Sequence, residues 1–155
     1  MDYLILKYLH VLGAVVLLGT GAGIAFFMVA AHRTGDAAFV AGVANLVVVA
    51  DTIFTATAVV LQPITGTLLA LRAGYPLSEA WIVVSLALYV VAGVFWLPVV
   101  WMQLRMRNLA RAAAARAEPL PERYHALYRR WLAFGFPGFG AVMAILWLMI
   151  ARPAW

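Results

Sequence analysis

The candidates for chemistry in this sequence are polar and titratable side chains that lie inside long apolar stretches. They are Lys7 and His10 in the first stretch, and Asp51, Thr55, Gln62 and Thr65 in the second. Polar groups at membrane depth are costly, so they mark binding sites, proton paths or bonds between helices. An imidazole can bind a metal or transfer a proton near neutral pH. These types predict a binding site, but they identify no catalytic residue.

Helical periodicity places these residues on two faces. At about 100° per residue, one face of the second stretch, about 80° wide, collects its polar residues. Its members are Asp51, Thr55, Ala58, Gln62 and Thr65. A face of the first stretch combines a histidine with mostly small residues, namely His10, Gly13, Ala14, Leu17, Gly21 and Ala25. Both faces are predicted to point into a bundle, where small residues bring helices together or leave room for a ligand.

Depth separates the polar residues into two groups. With a rise of about 1.5 Å per residue, His10 and Gln62 lie roughly 9–10 Å to one side of the midplane. Asp51 lies roughly 7 Å to the other side, level with Trp96. We therefore expect a polar pocket around His10 and Gln62, and a separate buried acid at Asp51. The partner of that acid is Thr55, a backbone carbonyl or an arginine from the helix end.

Composition identifies the environment of the chain. Of the 155 residues, 66% are hydrophobic and 11% are charged, against about 45–50% and about 25% in soluble domains. This excludes an ordinary soluble enzyme, a disordered tail and a nucleic-acid binder. The absence of cysteine excludes disulfides, thiolate metal sites and c-type haem attachment. The protein is therefore expected to be a multi-pass membrane protein whose first partner is the lipid bilayer.

Four apolar stretches are long enough to span a bilayer, which takes about 20 residues each. They cover about 3–31, 37–71, 77–104 and 127–151, and they predict an all-α antiparallel bundle of four transmembrane helices in one domain, 1–155. Short turns are expected at 32–36 and 72–76, and a longer link joins helices 3 and 4. The alanine- and arginine-rich residues 108–117 extend the third helix, and Pro121 and Glu122 suit a new helix start.

Charge and proline set the orientation and local shape of these helices. Eight of the eleven Lys and Arg residues belong to the first and third links, and the other three are Lys7, Arg72 and Arg152. The positive-inside rule therefore places both termini outside and the long link in the cytoplasm. Inside the second span, Pro63 cannot donate a hydrogen bond, which frees the carbonyl of Val59.

The whole chain resembles a bacterial family of small integral membrane proteins catalogued as a domain of unknown function. The motifs that carry this resemblance are Lys7-Tyr8-Leu9-His10-Val11-Leu12-Gly13, Leu61-Gln62-Pro63-Ile64-Thr65-Gly66, Trp96-Leu97-Pro98-Val99-Val100-Trp101-Met102-Gln103 and Trp147-Leu148-Met149-Ile150-Ala151-Arg152-Pro153. The resemblance implies a location in the bacterial inner membrane, and it implies no activity.

A more distant similarity is to the HemJ-type protoporphyrinogen oxidases and the CopD-like copper-resistance membrane proteins. Leu9-His10 and Thr65-Gly66 carry it. It implies a b-type haem with His10 as an axial ligand of the iron. The second ligand of HemJ-type proteins is a lysine shortly after a tryptophan that opens the third span. Here Trp81 matches the tryptophan, and Ser85 occupies the place of the lysine.

Three functions follow as alternatives. The first is a haem b or tetrapyrrole-binding redox protein, in which Gln62 and Thr65 orient His10 or the cofactor and Lys7 pairs with a propionate. The second is a non-catalytic accessory or assembly subunit that joins a larger membrane complex through its glycine faces and arginine-rich link. The third is a small proton or ion transporter that uses Asp51 and Thr55 and works as a homo-oligomer.

Overall fold

The computed structural model describes residues 2–153, and the regular structure within that range is entirely helical. Four helices are long and apolar enough to cross a membrane: α1 (Tyr3–Thr34), α2 (Ala37–Arg72), α3 (Ala80–Ala115) and α4 (Glu122–Ala151). Large apolar side chains on every helix are exposed on the outside of the bundle; examples are Phe26, Leu46, Leu97 and Trp147. Lipid covers such a surface in an integral membrane protein. The predicted all-α fold with four membrane helices is confirmed.

The turn between α1 and α2 is as short as predicted. Gly35 adopts a left-handed conformation with φ of 68° and ends α1. The Asp36 carboxylate then accepts hydrogen bonds from the N–H groups of Ala38 at 2.8 Å and Phe39 at 3.1 Å. Because these amides have no partner inside the helix, Asp36 is an effective N-cap. The sequence Gly35-Asp36 therefore reverses the chain within two residues.

The other two connections differ slightly from the predicted boundaries. Gly74, with φ of 79°, ends α2, and α3 begins at Ala80 rather than near residue 77. The third helix continues well past residue 104 to Ala115, so its predicted extension is confirmed. The fourth helix begins at Glu122, directly after Pro121, as the sequence indicates. The link between them is therefore only 116–121.

A π-helical segment interrupts α2 at Asp51–Thr55. The amide of Ala56 bonds to the carbonyl of Asp51, which widens this turn by one residue. Such segments often occur at functional sites. Helical periodicity predicts a regular helix throughout α2 and does not indicate this segment.

The bundle is tightly packed toward one end, which we call the arginine-rich end because it carries the connections 35–36 and 116–121. The first half of α2 packs there against α3, and α3 packs against α4. Met28, Val40, Met106 and Tyr124 are completely buried in this region. They belong to one continuous cluster that we call the closed half: Ile24, Met28, Ala31, Ala37, Val40, Ala41, Ala44, Val47, Met102, Met106, Ala110, Ala113, Leu120, Tyr124, Leu127, Tyr128 and Trp131.

Toward the opposite end, which carries residues 2 and 153 and the connection 73–79, the helices separate. We call this region the open half. The 56–72 part of α2 packs chiefly against α1, and α1 contacts α4 only weakly. A small cluster of Ala70, Trp81 and Ile82 joins α2 to α3 near the end of the bundle. The α1–α2 and α3–α4 pairs therefore enclose a space between them.

Candidate ligand-binding cavity

A cavity of about 860 Å³ fills the space between the two helix pairs. Its lining is mostly apolar and runs from Lys7 and Arg152 to Asp51 and Gln103. Small-molecule sites in proteins commonly enclose about 300–1,000 Å³ and combine apolar walls with a few polar groups. The expected pocket around His10 and the expected separate acid at Asp51 thus share one continuous cavity.

His10 lies on the cavity wall. One of its ring nitrogens is hydrogen-bonded, and the other has no partner in residues 2–153. Its Nδ1 is 3.0 Å from the Thr65 hydroxyl oxygen, and that hydroxyl lies 2.8 Å from the carbonyl oxygen of Leu61. Since the hydroxyl has one proton and donates it to Leu61, its oxygen accepts from Nδ1–H. Hydrogen bonding therefore places a proton on Nδ1, and in the neutral imidazole the lone pair of Nε2 is then available.

Two glycines make room for the contact between α1 and α2 at this point. The Gln62 amide donates to the backbone carbonyl of His10 at 2.8 Å, and a Cβ on Gly13 would collide with that amide. A Cβ on Gly66 would lie 2.9 Å from Cε1 of the imidazole. Gln62, Thr65 and Gly66 together hold His10 in place, because α2 presents all three to the same turn of α1.

Two positively charged side chains lie at the rim of the cavity, at the end opposite Asp51. Lys7 and Arg152 both line it. The Arg152 guanidinium donates to the Tyr75 hydroxyl at 3.0 Å and lies 5.5 Å from the centre of the same ring. The Lys7 ammonium lies 6.0 Å from the centre of the Tyr3 ring. These two cations can pair with acidic groups of a ligand whose body occupies the cavity.

Ser85 lines the cavity and is a poor candidate for a metal ligand. Its buried hydroxyl donates to the carbonyl of Trp81 at 2.7 Å. A serine hydroxyl is also a poor ligand for haem iron. The position that the HemJ resemblance assigns to a second nitrogen ligand therefore supplies none.

Asp51 lies at the inner end of the cavity and is only 4% exposed. One carboxylate oxygen accepts a hydrogen bond of 3.3 Å from the Trp96 indole, which confirms that these two residues lie at equal depth. The Trp96 indole is a partner that the sequence did not indicate. Thr55 lies next to the carboxylate, but neither its hydroxyl nor the second carboxylate oxygen has a hydrogen-bond partner among the described residues.

The cavity wall includes three residues that were not predicted from the sequence: Tyr89, Gln103 and Trp131. Tyr89 donates its hydroxyl to the Val59 carbonyl, the same carbonyl that Pro63 frees. Gln103 and Trp131 contribute buried polar atoms to the inner end. For Gln103 a signal was available, since it follows Trp96 by seven residues and shares its helix face. Trp131 carries no such signal, because its position depends on how α4 packs.

Four apolar helices around an internal cavity define a multi-pass integral membrane protein. The chain belongs to the family described as "Predicted integral membrane protein (DUF2269)", whose model matches residues 4–153. No curated protein and no solved structure matches the sequence. The family description agrees with the membrane location and leaves the ligand to be inferred from the cavity.

Proposed function

We propose that this protein binds a b-type haem or a closely related tetrapyrrole in the cavity, with Nε2 of His10 as an axial ligand, and that it has a redox role. The observation that carries the proposal is the hydrogen bonding of the His10 ring. Its Nδ1–H is bonded to Thr65, and its Nε2 has no partner in residues 2–153. Histidines that ligate metals commonly donate their other ring N–H to a neighbouring group in this way.

Two further features of the cavity suit a haem, namely its apolar lining and the positive charge at one end. A haem needs a strong axial donor and an apolar slot, and the lining around His10 is largely apolar. Lys7 and Arg152 at the rim are suited to the two propionates, which carry negative charge. When bound, the group would supply one-electron chemistry. The residues of the chain would hold it, exclude water from it and keep the imidazole in its binding tautomer.

The family resemblance and the arginine distribution support a location as well. We propose that the protein lies in the bacterial inner membrane with its termini outside and its arginine-rich end in the cytoplasm. The cavity rim with Lys7 and Arg152 would then face outward. Cysteine substitution at Asp2 and at Glu118, which is exposed in the connection 116–121, followed by labelling with a membrane-impermeant maleimide in whole cells, tests this orientation. Labelling of Asp2→Cys alone is expected, and labelling of Glu118→Cys alone would overturn it.

The visible absorption spectrum of the purified protein tests the proposed cofactor. The protein is produced with ample haem supply, and spectra are recorded after air oxidation and after dithionite reduction. We expect haem bands in the wild type and in His32→Ala, and their loss in His10→Ala. His32 is a matched control because it lies on the same helix, 3.6 Å from the centre of the Tyr128 ring, and outside the cavity lining.

Two results would contradict the proposal. One is a featureless spectrum of a well-folded wild type, and the other is equal haem content in wild type and His10→Ala. A featureless spectrum would favour the accessory-subunit hypothesis. Gly19, on the surface of α1, has no atom within 4 Å of where a Cβ would lie, so this face is open to a partner helix. Affinity purification would then identify the complex.

A further inference from the structure

The inner end of the cavity contains buried polar atoms that have no hydrogen-bond partner in residues 2–153. They are Oδ2 of Asp51, Oγ1 of Thr55, Oε1 of Gln103 and Nε1 of Trp131. All four side chains line the cavity, and their exposed fractions are 4%, 7%, 2% and 4%, respectively. We call this group, together with Trp96, the cavity floor. Buried polar atoms are normally paired, and these four belong to one end of a single cavity, so they can serve a ligand bound there.

The cavity floor is distinct from the proposed haem ligand. Asp51 precedes Gln62, the residue beside His10, by eleven positions on α2, which corresponds to about 16 Å along the helix. The cationic residues of the lining, Lys7 and Arg152, belong to the opposite end of the cavity. The floor therefore offers no positive charge to a phosphate or carboxylate and is suited to an uncharged group.

The polar atoms of the floor include both donors and acceptors. The indole N–H of Trp131 only donates, the amide oxygen of Gln103 only accepts, and the free oxygen of Asp51 accepts when the carboxyl group is ionised. The Thr55 hydroxyl can do either. A matching ligand carries oxygen atoms that accept from Trp131 and Thr55, or hydroxyl groups that donate to Asp51 and Gln103.

Aromatic side chains form the walls next to the floor. Phe95 and Phe134 both line the cavity and contact each other edge to face, with ring centres 5.6 Å apart. Trp96 is held in place by its bond to Asp51. Aromatic walls favour a flat ring, which can stack on their faces or meet their edges. A saturated alcohol would satisfy the polar atoms but would not use these walls.

We propose that the cavity floor binds the ring of a quinone or quinol. Quinone carbonyls would accept hydrogen bonds from Trp131 and Thr55, and quinol hydroxyls would donate to Asp51 and Gln103. The apolar remainder of the cavity would receive the hydrocarbon tail, which such lipids bring from the bilayer. The proposal concerns binding alone and does not depend on a haem at His10.

Tryptophan fluorescence of the detergent-solubilised full-length protein tests this proposal, because a quinone quenches nearby indoles. The probe is decylubiquinone, titrated into wild type, Thr55→Val, Thr57→Val and Gln103→Leu. Thr57 is the matched control, since it lies on the same helix, is exposed, and donates to the carbonyl of Ile53 at 2.6 Å. We expect saturable quenching in wild type and Thr57→Val, and an affinity about tenfold lower in Thr55→Val and Gln103→Leu.

Three outcomes would overturn the quinone site: no saturable quenching in the wild type, equal affinities in Thr55→Val and Thr57→Val, or equal competition by decanol. Thermal unfolding of each variant confirms that it is folded, and the milder Thr55→Val carries the test if Gln103→Leu unfolds. His10→Ala is titrated in parallel. If His10→Ala loses the haem bands but still binds the quinone, both proposals are supported. If the wild type binds the quinone but shows no haem bands, the quinone site is supported and the haem proposal is contradicted.

Discussion

In the closed half of the bundle, Met28, Val40, Met106 and Tyr124 are completely buried. In the open half, the same four helices surround a cavity of about 860 Å³. Both regions are rich in small residues, yet these residues have opposite effects. Ala31 and Ala110 in the closed half are completely buried between helices, as small residues in membrane bundles usually are. Ala14 and Gly21 in the open half line the cavity instead.

The difference indicates that the closed half stabilises the fold and that the open half is suited to binding a ligand. Within the membrane, helix association depends on close packing and hydrogen bonds, because lipid is as apolar as the side chains. The closed half supplies that packing. The open half can then keep a cavity of this size, which would be costly in a protein that relied on this region for its stability.

Truncation in the closed half should cost far more stability than the same kind of truncation in the open half. Met106→Ala removes a fully buried side chain and should lower the free energy of unfolding by about 2–5 kcal/mol. Leu17→Ala, on the cavity wall, should cost less than about 1 kcal/mol because the space around it is already open. Unfolding by SDS in mixed micelles measures both values. Equal losses would contradict the division into two halves.

The hydrogen bond from Tyr89 to the Val59 carbonyl should stabilise the protein chiefly while Pro63 is present. Tyr89→Phe leaves the Val59 carbonyl without its donor and should cost about 1–3 kcal/mol. In a Pro63→Ala background, the new amide can donate to Val59, so Tyr89→Phe should then cost less than half as much. The same unfolding assay, applied to the four members of this cycle, measures the coupling. Equal costs in the two backgrounds would show that the bond does not compensate for the proline.

Loss of the Thr65 hydroxyl should weaken haem binding, although the proposed axial ligand, His10, is still present. Thr65→Val abolishes the acceptor for Nδ1–H of His10, and loss of such a supporting bond typically lowers metal affinity about 10–100-fold. Haem titration of the apo protein, followed in the visible spectrum, measures the change. Thr57→Val is the control, since its hydroxyl bonds to Ile53 away from His10. An unchanged affinity in Thr65→Val would mean that the tautomer is fixed in some other way.

Much of the fold could be predicted from the sequence because its signals are local. Apolar length predicts the four helices, Gly35-Asp36 predicts the first turn, and Pro121 predicts the start of α4. The face that carries Asp51 and Thr65 is indeed turned inward, since both are buried. These features depend on residues that are close in sequence, and helical periodicity is sufficient to place them.

The rest of the site depends on tertiary packing, which local patterns do not contain. The cavity exists because the two helix pairs separate in the open half, and no residue spacing indicates that separation. No local pattern indicates the π-helical segment at Asp51–Thr55 either. Trp131 reaches the cavity floor only through the way α4 packs. Positions along the helices placed Asp51 and Trp96 at equal depth, but they did not indicate that Asp51 and His10 line one continuous cavity.

Rescue of the His10→Ala variant by imidazole tests the central claim most directly. Removing the side chain should leave a space beside Gly66 and Thr65 in which free imidazole can replace the lost ligand. We expect His10→Ala to show no haem bands after reconstitution and to regain them in millimolar imidazole, whereas His32→Ala behaves as the wild type throughout. Full haem binding by His10→Ala without imidazole would contradict the account, as would a folded variant in which imidazole restores nothing.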